Sequence, residues 1–70
     1  MKRFPIGTIV VPKSDCRELD NNYLLKPQRY LVKGYKKLYD EYCPKISLLD
    51  YQDVELGIEY LVPNDKIYKI

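Results

Sequence analysis

Residues 54–62 alternate more cleanly than any other stretch of the chain. Val54, Leu56, Ile58, Tyr60 and Val62 fall on one parity, and Glu55, Gly57, Glu59 and Leu61 on the other. Side chains of a β-strand point to opposite faces in turn, so a period of two is the signature of a strand. Two carboxylates hold the odd face, so the even positions are expected to face the core. A chain built around such a strand must supply further strands to pair with it.

The rest of the chain divides accordingly. Gly and Pro punctuate it at Pro5, Gly7, Pro12, Pro27, Gly34, Pro44, Gly57 and Pro63, which leaves short pieces of strand length. A first strand is expected over 7–12, where Thr8, Ile9, Val10 and Val11 are all β-branched. Pro12 has no N–H to donate, so this strand ends there or lies at an edge. Residues 13–28 form a long polar stretch with the turn formers Ser14, Asp15, Asp20, Asn21 and Asn22, and room for one helical turn around 16–19. A connection of that length in a small domain is either functional or folded back on the body. Further strands are expected over 29–34, 45–51 and 67–70, with a turn at 50–53 and a single tight helical turn at 63–66.

Residues 35–42 admit two readings. Tyr35, Leu38, Tyr39 and Tyr42 sit at i, i+3, i+4 and i+7, one face of a helix, and Lys36–Asp40 and Lys37–Glu41 are i,i+4 pairs on the other. A helix this short does not stand alone, so the end of a strand followed by a wide loop is the other reading.

Length and composition bound what such a fold can be. Seventy residues make one domain, 1–70, with a small core that a disulfide, a metal or a partner subunit would supplement. Tyr supplies eight of the nine aromatic residues, a side chain that buries its ring while its hydroxyl reaches water. The net charge of +2 is too balanced to indicate nucleic acid by itself. No stretch approaches the roughly 18 apolar residues of a membrane span, and the start at Met1-Lys2-Arg3-Phe4-Pro5 lacks the apolar run of a signal peptide. A reducing cytoplasm is therefore the expected compartment. Cys16 and Cys43 then read as two reduced thiols, although a bridge between them would be worth about 3 kcal/mol.

The order of strand, long loop, strand, wide connection, strand, tight turn, strand, one-turn helix and strand resembles the SH3-like barrel. Phe4-Pro5-Ile6-Gly7, Tyr30-Leu31-Val32 and Tyr60-Leu61-Val62-Pro63-Asn64-Asp65-Lys66-Ile67 carry the resemblance. More narrowly, the chain is similar to small SH3-like proteins encoded by bacteriophages, with an aromatic-x-apolar-Gly opening, a Tyr-x-Val strand and a Lys-Ile end. The resemblance implies a five-stranded, mostly β barrel with a one-turn 3₁₀ helix before the last strand. It also implies a non-enzymatic module that inhibits or adapts a host protein. Two features of peptide-binding SH3 domains are missing: the chain has no Trp, and Pro63-Asn64-Asp65-Lys66 lacks the Tyr of a Pro-x-x-Tyr run. Binding of proline-rich peptides is accordingly not expected, and nor is a ribosomal KOW element with its Gly-rich basic loop.

The residues supply little for catalysis. There is no His, the side chain suited to proton transfer near neutral pH. Ser14, Ser47, Thr8, Cys16 and Cys43 have no base beside them in sequence, and the two cysteines lack metal-site spacing. Asp50, Asp53 and Glu55 read as a charged turn rather than a cation site. No catalytic residue, cofactor or metal is expected. Binding is better supplied. Tyr35, Lys36, Lys37, Tyr39 and Tyr42 form a Tyr-rich segment of the kind that anchors protein interfaces. Lys33, Lys36 and Lys37 interleaved with Tyr35 and Tyr39 offer the alternative of a nucleic-acid face, against which Asp40 and Glu41 stand as neutralising neighbours. A third surface is an open strand edge that pairs with a partner or a second copy. A homodimer, or the long loop folding over them, would account for the apolar Leu31, Leu49, Leu61 and Tyr51 on faces expected to meet solvent.

Overall fold

The computed structural model describes residues 3–70. The described chain is mostly β: β1 (Ile9–Pro12), β2 (Tyr30–Leu38), β3 (Glu41–Leu49), β4 (Glu55–Leu61), a 3₁₀ turn (Asn64–Lys66) and β5 (Ile67–Lys69). All neighbours are antiparallel, in the order β4-β3-β2-β1-β5. The sheet is open, with β4 and β5 as its edges. No helix is long and apolar enough to cross a membrane among the described residues.

The main core cluster lies on one face of the sheet, while Cys43, Ser47, Leu49 and Leu61, of the other parity, are buried as well. Val10, Tyr30, Val32, Ile46, Leu48, Val62 and Ile67 are buried together with Cys16 and Leu25 from the long loop. Register explains the grouping: Val10 pairs with Tyr30, Tyr30 with Leu48, and Val32 with Ile46, and directly opposed residues share a face. Loop 13–28 folds back onto this body, as its length suggested. It has no helical turn at 16–19 but doubles on itself through the Arg17–Leu24 bridge. Leu25 N donates to Cys16 O at 3.0 Å, and Leu19 N donates to Leu61 O of β4 at 2.9 Å. Both cysteines are free and buried.

Residues 35–42 are neither helix nor wide loop. β2 and β3 continue through them as a hairpin closed by Tyr39 and Asp40, with Leu38 opposite Glu41 and Lys37 opposite Tyr42. The helical spacing of Tyr35, Leu38, Tyr39 and Tyr42 is a by-product of a two-residue turn between strands of β-favouring residues. A bulge at Lys33 separates the two halves of the ladder, since Val32 pairs with Ile46 and Gly34 with Lys45.

β4 departs from the expected burial. Val54, Leu56 and Ile58 are 54%, 49% and 44% exposed, while Val62 beyond the strand is fully buried and Leu61, from the odd face, is buried too. Alternation fixes which residues share a face, but whether that face is covered depends on what lies opposite. β4 is an edge strand with β3 as its one ladder neighbour, and the core cluster ends near Val62 and Ile67. Leu49 and Leu61 are buried within the chain itself, so they need no second copy to cover them, whereas Tyr51 is exposed.

Candidate functional site

The β2–β3 hairpin projects past the core and ends in an exposed aromatic. Tyr39 is 98% exposed and holds φ at +55° in the two-residue turn. A left-handed backbone is costly for a bulky L-residue, by about 1–2 kcal/mol, and is ordinarily taken by Gly or Asn. The chain thus places a large ring fully in water, on a backbone that disfavours it.

The five residues of the Tyr-rich segment divide between two faces. On one, Lys37 lies opposite Tyr42 with its ammonium 5.8 Å from the ring centroid. The Arg3 guanidinium sits over the same ring at 3.8 Å. Tyr35, opposite Pro44, is half-buried against the core. Its hydroxyl accepts from Phe4 N at 2.6 Å and lies 3.1 Å from Phe4 O and 3.4 Å from Asn64 Oδ1, either of which can take its proton. Tyr35 thereby fastens the segment before β1 to the sheet. Lys36 lies opposite Cys43 on the other face, exposed.

That second face borders a groove of about 530 Å³ between the hairpin and the long loop. Leu38 and Cys43 come from the hairpin, Leu19 and Asp20 from the loop, and Pro63 from the segment after β4; Lys37, Tyr39 and Glu41 complete the lining. A smaller cleft of about 250 Å³, bounded by Arg3, Asp40, Glu41 and Tyr42, also adjoins the hairpin. The groove offers apolar surface from four residues and a charged rim from Asp20, Glu41 and Lys37. Such a rim orients a ligand that buries an apolar group between the walls. The Leu19–Leu61 hydrogen bond fixes the loop wall. The Cys43 thiol is pushed up by burial, with Glu41 adding to the shift, so it lines the groove as a neutral, inert group. Among the described residues no set of three or more His, Cys, Asp or Glu side chains is arranged to hold a metal.

Leu19, Asp20, Cys43 and Pro63 were not singled out as binding residues from the sequence. The length of the 13–28 connection was the available signal, but it does not tell which loop residue returns to meet the hairpin. Comparison with known proteins returns no matching family model, no matching curated protein and no matching solved structure.

Proposed function

We propose that the chain is a non-enzymatic protein-interaction module, with the β2–β3 hairpin tip and the adjoining groove as its docking site. The observation that carries this reading is Tyr39, a solvent-exposed aromatic on a left-handed backbone beside a partly apolar groove. Strain of this kind clusters where a side chain must be presented to a ligand. Tyr39 is the anchor, the groove receives an apolar side chain of the partner, and Lys37 lies at the rim with Lys36 exposed beside it. Tyr42, with Arg3 over its ring, adds partly exposed aromatic surface to the hairpin, and Tyr35 holds the hairpin base.

The long loop after β1, the tight turn between β3 and β4 and the 3₁₀ turn before β5 support the SH3-like barrel reading. With the resemblance to phage-encoded barrels, they extend the proposal to an inhibitor or adaptor acting on a host protein in the cytoplasm. Asp20, Asp40 and Glu41 around the lysines favour a protein partner over a phosphate backbone, which would be repelled by them.

Affinity capture from host lysate with the immobilised chain tests this. The parent is expected to enrich one protein, in a complex that survives high salt, and Tyr39→Ala and Lys37→Ala/Tyr42→Ala are expected to lose it. Equal recovery by parent and variants would remove the hairpin as the anchor. Capture of nucleic acid with affinity falling steeply with salt would establish the alternative reading instead.

A further inference from the structure

We propose that the groove between the hairpin and the long loop takes a basic segment of the partner protein, an arginine beside an aliphatic residue. This rests on the docking reading and names the chemistry of the side chains that the site accepts.

The two faces of the hairpin decide which charges meet the groove. Residues directly opposite each other in a ladder share a face, and so do residues two apart on one strand. Leu38 lies opposite Glu41 and Lys36 opposite Cys43, so Leu38, Glu41 and Cys43 stand together on the groove face. Lys37 lies opposite Tyr42 on the reverse face, with its ammonium 5.8 Å from that ring. Its backbone borders the groove while its charge lies toward the other side. Lys36 shares the groove face but falls outside the lining. The charges left at the mouth are the carboxylates of Asp20, from the loop, and Glu41, from the hairpin. Both residues are exposed, and neither forms an ion pair among the described residues.

Both carboxylates are held in place by the fold. Glu41 begins β3. Asp20 sits in a turn closed by Glu18 N donating to Tyr23 O at 2.8 Å and Asn22 N donating to Glu18 O at 2.9 Å. Beside them, Leu19, Leu38, Cys43 and Pro63 line the groove with apolar surface.

An acidic mouth over apolar walls discriminates between ligands. A carboxylate or phosphate meets Asp20 and Glu41 as a like charge. A wholly apolar segment covers them without offering a donor, which costs the hydration it displaces. Arginine meets both requirements, because its methylene stem packs on aliphatic walls while its guanidinium stays at the wet mouth. The planar fork of N–H donors can serve more than one carboxylate oxygen. The same plane stacks on aromatic rings, and Tyr39 lines this groove with its ring 98% exposed. Lysine has the stem and the charge but neither the fork nor the plane. At about 530 Å³ the groove is of the size that holds a small organic ligand, which leaves room for an aliphatic neighbour.

Titration of the nitrogen-15-labelled chain with a capped Gly-Leu-Arg-Gly peptide, and with its analogues carrying Gln or Glu in place of Arg, tests the proposal through amide shifts. The Arg peptide is expected to bind with a dissociation constant on the order of 1 mM and to shift Leu19, Asp20, Leu38 and Cys43. The Gln analogue is expected to bind about fivefold more weakly, and the Glu analogue more weakly still. The chain as a whole carries +2, so non-specific attraction would give the reverse order. Asp20→Asn/Glu41→Gln, nearly isosteric at two exposed positions, is expected to bind the Arg and Gln peptides alike, and its amide spectrum reports its fold. A Gln peptide that binds the parent's groove as tightly as the Arg peptide would overturn the proposal and leave the docking reading standing. So would an Asp20→Asn/Glu41→Gln variant that keeps the parent's preference for Arg. Shifts at the groove from none of the peptides would overturn the proposal and remove the groove from the docking site as well.

Discussion

Tyr35 and Tyr39 are four residues apart and have opposite roles. Tyr35 turns inward and its hydroxyl ties down Phe4, whereas Tyr39 presents its whole ring to solvent. Tyr35→Phe is expected to leave the Phe4 N–H without its partner and to cost about 1 kcal/mol in chemical denaturation. Asp50 is a second residue whose side chain decides local structure. One carboxylate oxygen accepts from Gln52 N at 2.8 Å and Val54 N at 3.0 Å, closing the β3–β4 turn while Asp53 takes φ +61°. Asp50→Ala removes both bonds and is expected to lower stability by about 1–2 kcal/mol. The Arg29–Asp53 pair beside it is solvent-exposed, so its removal is expected to change little.

At the scale of elements, strands with strong local chemistry were legible. The β-branched run 8–11 gave β1, the Asp-rich stretch gave the turn at 50–53, and the break at Pro63 gave the 3₁₀ turn at Asn64–Lys66. The hairpin was not legible, because its four apolar residues satisfy a helical period as well as a two-residue turn does, and only pairing with β3 separates the two. Nor was the exposure of β4: its pattern identifies a strand correctly but carries no information about whether anything packs over its apolar side chains. The groove escaped for a related reason, since it is assembled from three segments distant in sequence. Ile46 lies on β3, fully buried between Val32 on β2 and Tyr60 on β4. Ile46→Ala is expected to cost about 2–5 kcal/mol in chemical denaturation, since the neighbouring strands cannot close over the void.

For the whole molecule, the titrating groups set the pH window of stability. Burial pushes the Cys16 thiol from 9.0 up to about 11 and the Tyr30 hydroxyl from 10.0 up to about 12. The folded state therefore holds these protons more tightly than the unfolded chain does. Their contribution is complete below the unfolded values and is lost as pH rises toward the folded ones, so unfolding is expected to become easier above about pH 9. In the acid limb, hydrogen bonds from Lys33 and Lys66 hold the carboxyls of Glu55 and Asp15 below their ordinary values. That contribution is present above the unfolded carboxylate range and lost as pH falls through the lowered values; both pairs are exposed, so the loss is shallow and salt-sensitive. Denaturation midpoints measured across pH check both limbs.

The docking account turns on a trade at one position. Tyr39→Gly relieves a left-handed backbone while deleting the exposed ring, so stability and binding should move in opposite directions. The direct measurement is the paired one: the denaturation midpoint of Tyr39→Gly and its affinity for the captured partner, each against the parent. The account predicts a variant at least as stable that binds about tenfold or more weakly. A variant that binds as tightly as the parent would contradict it.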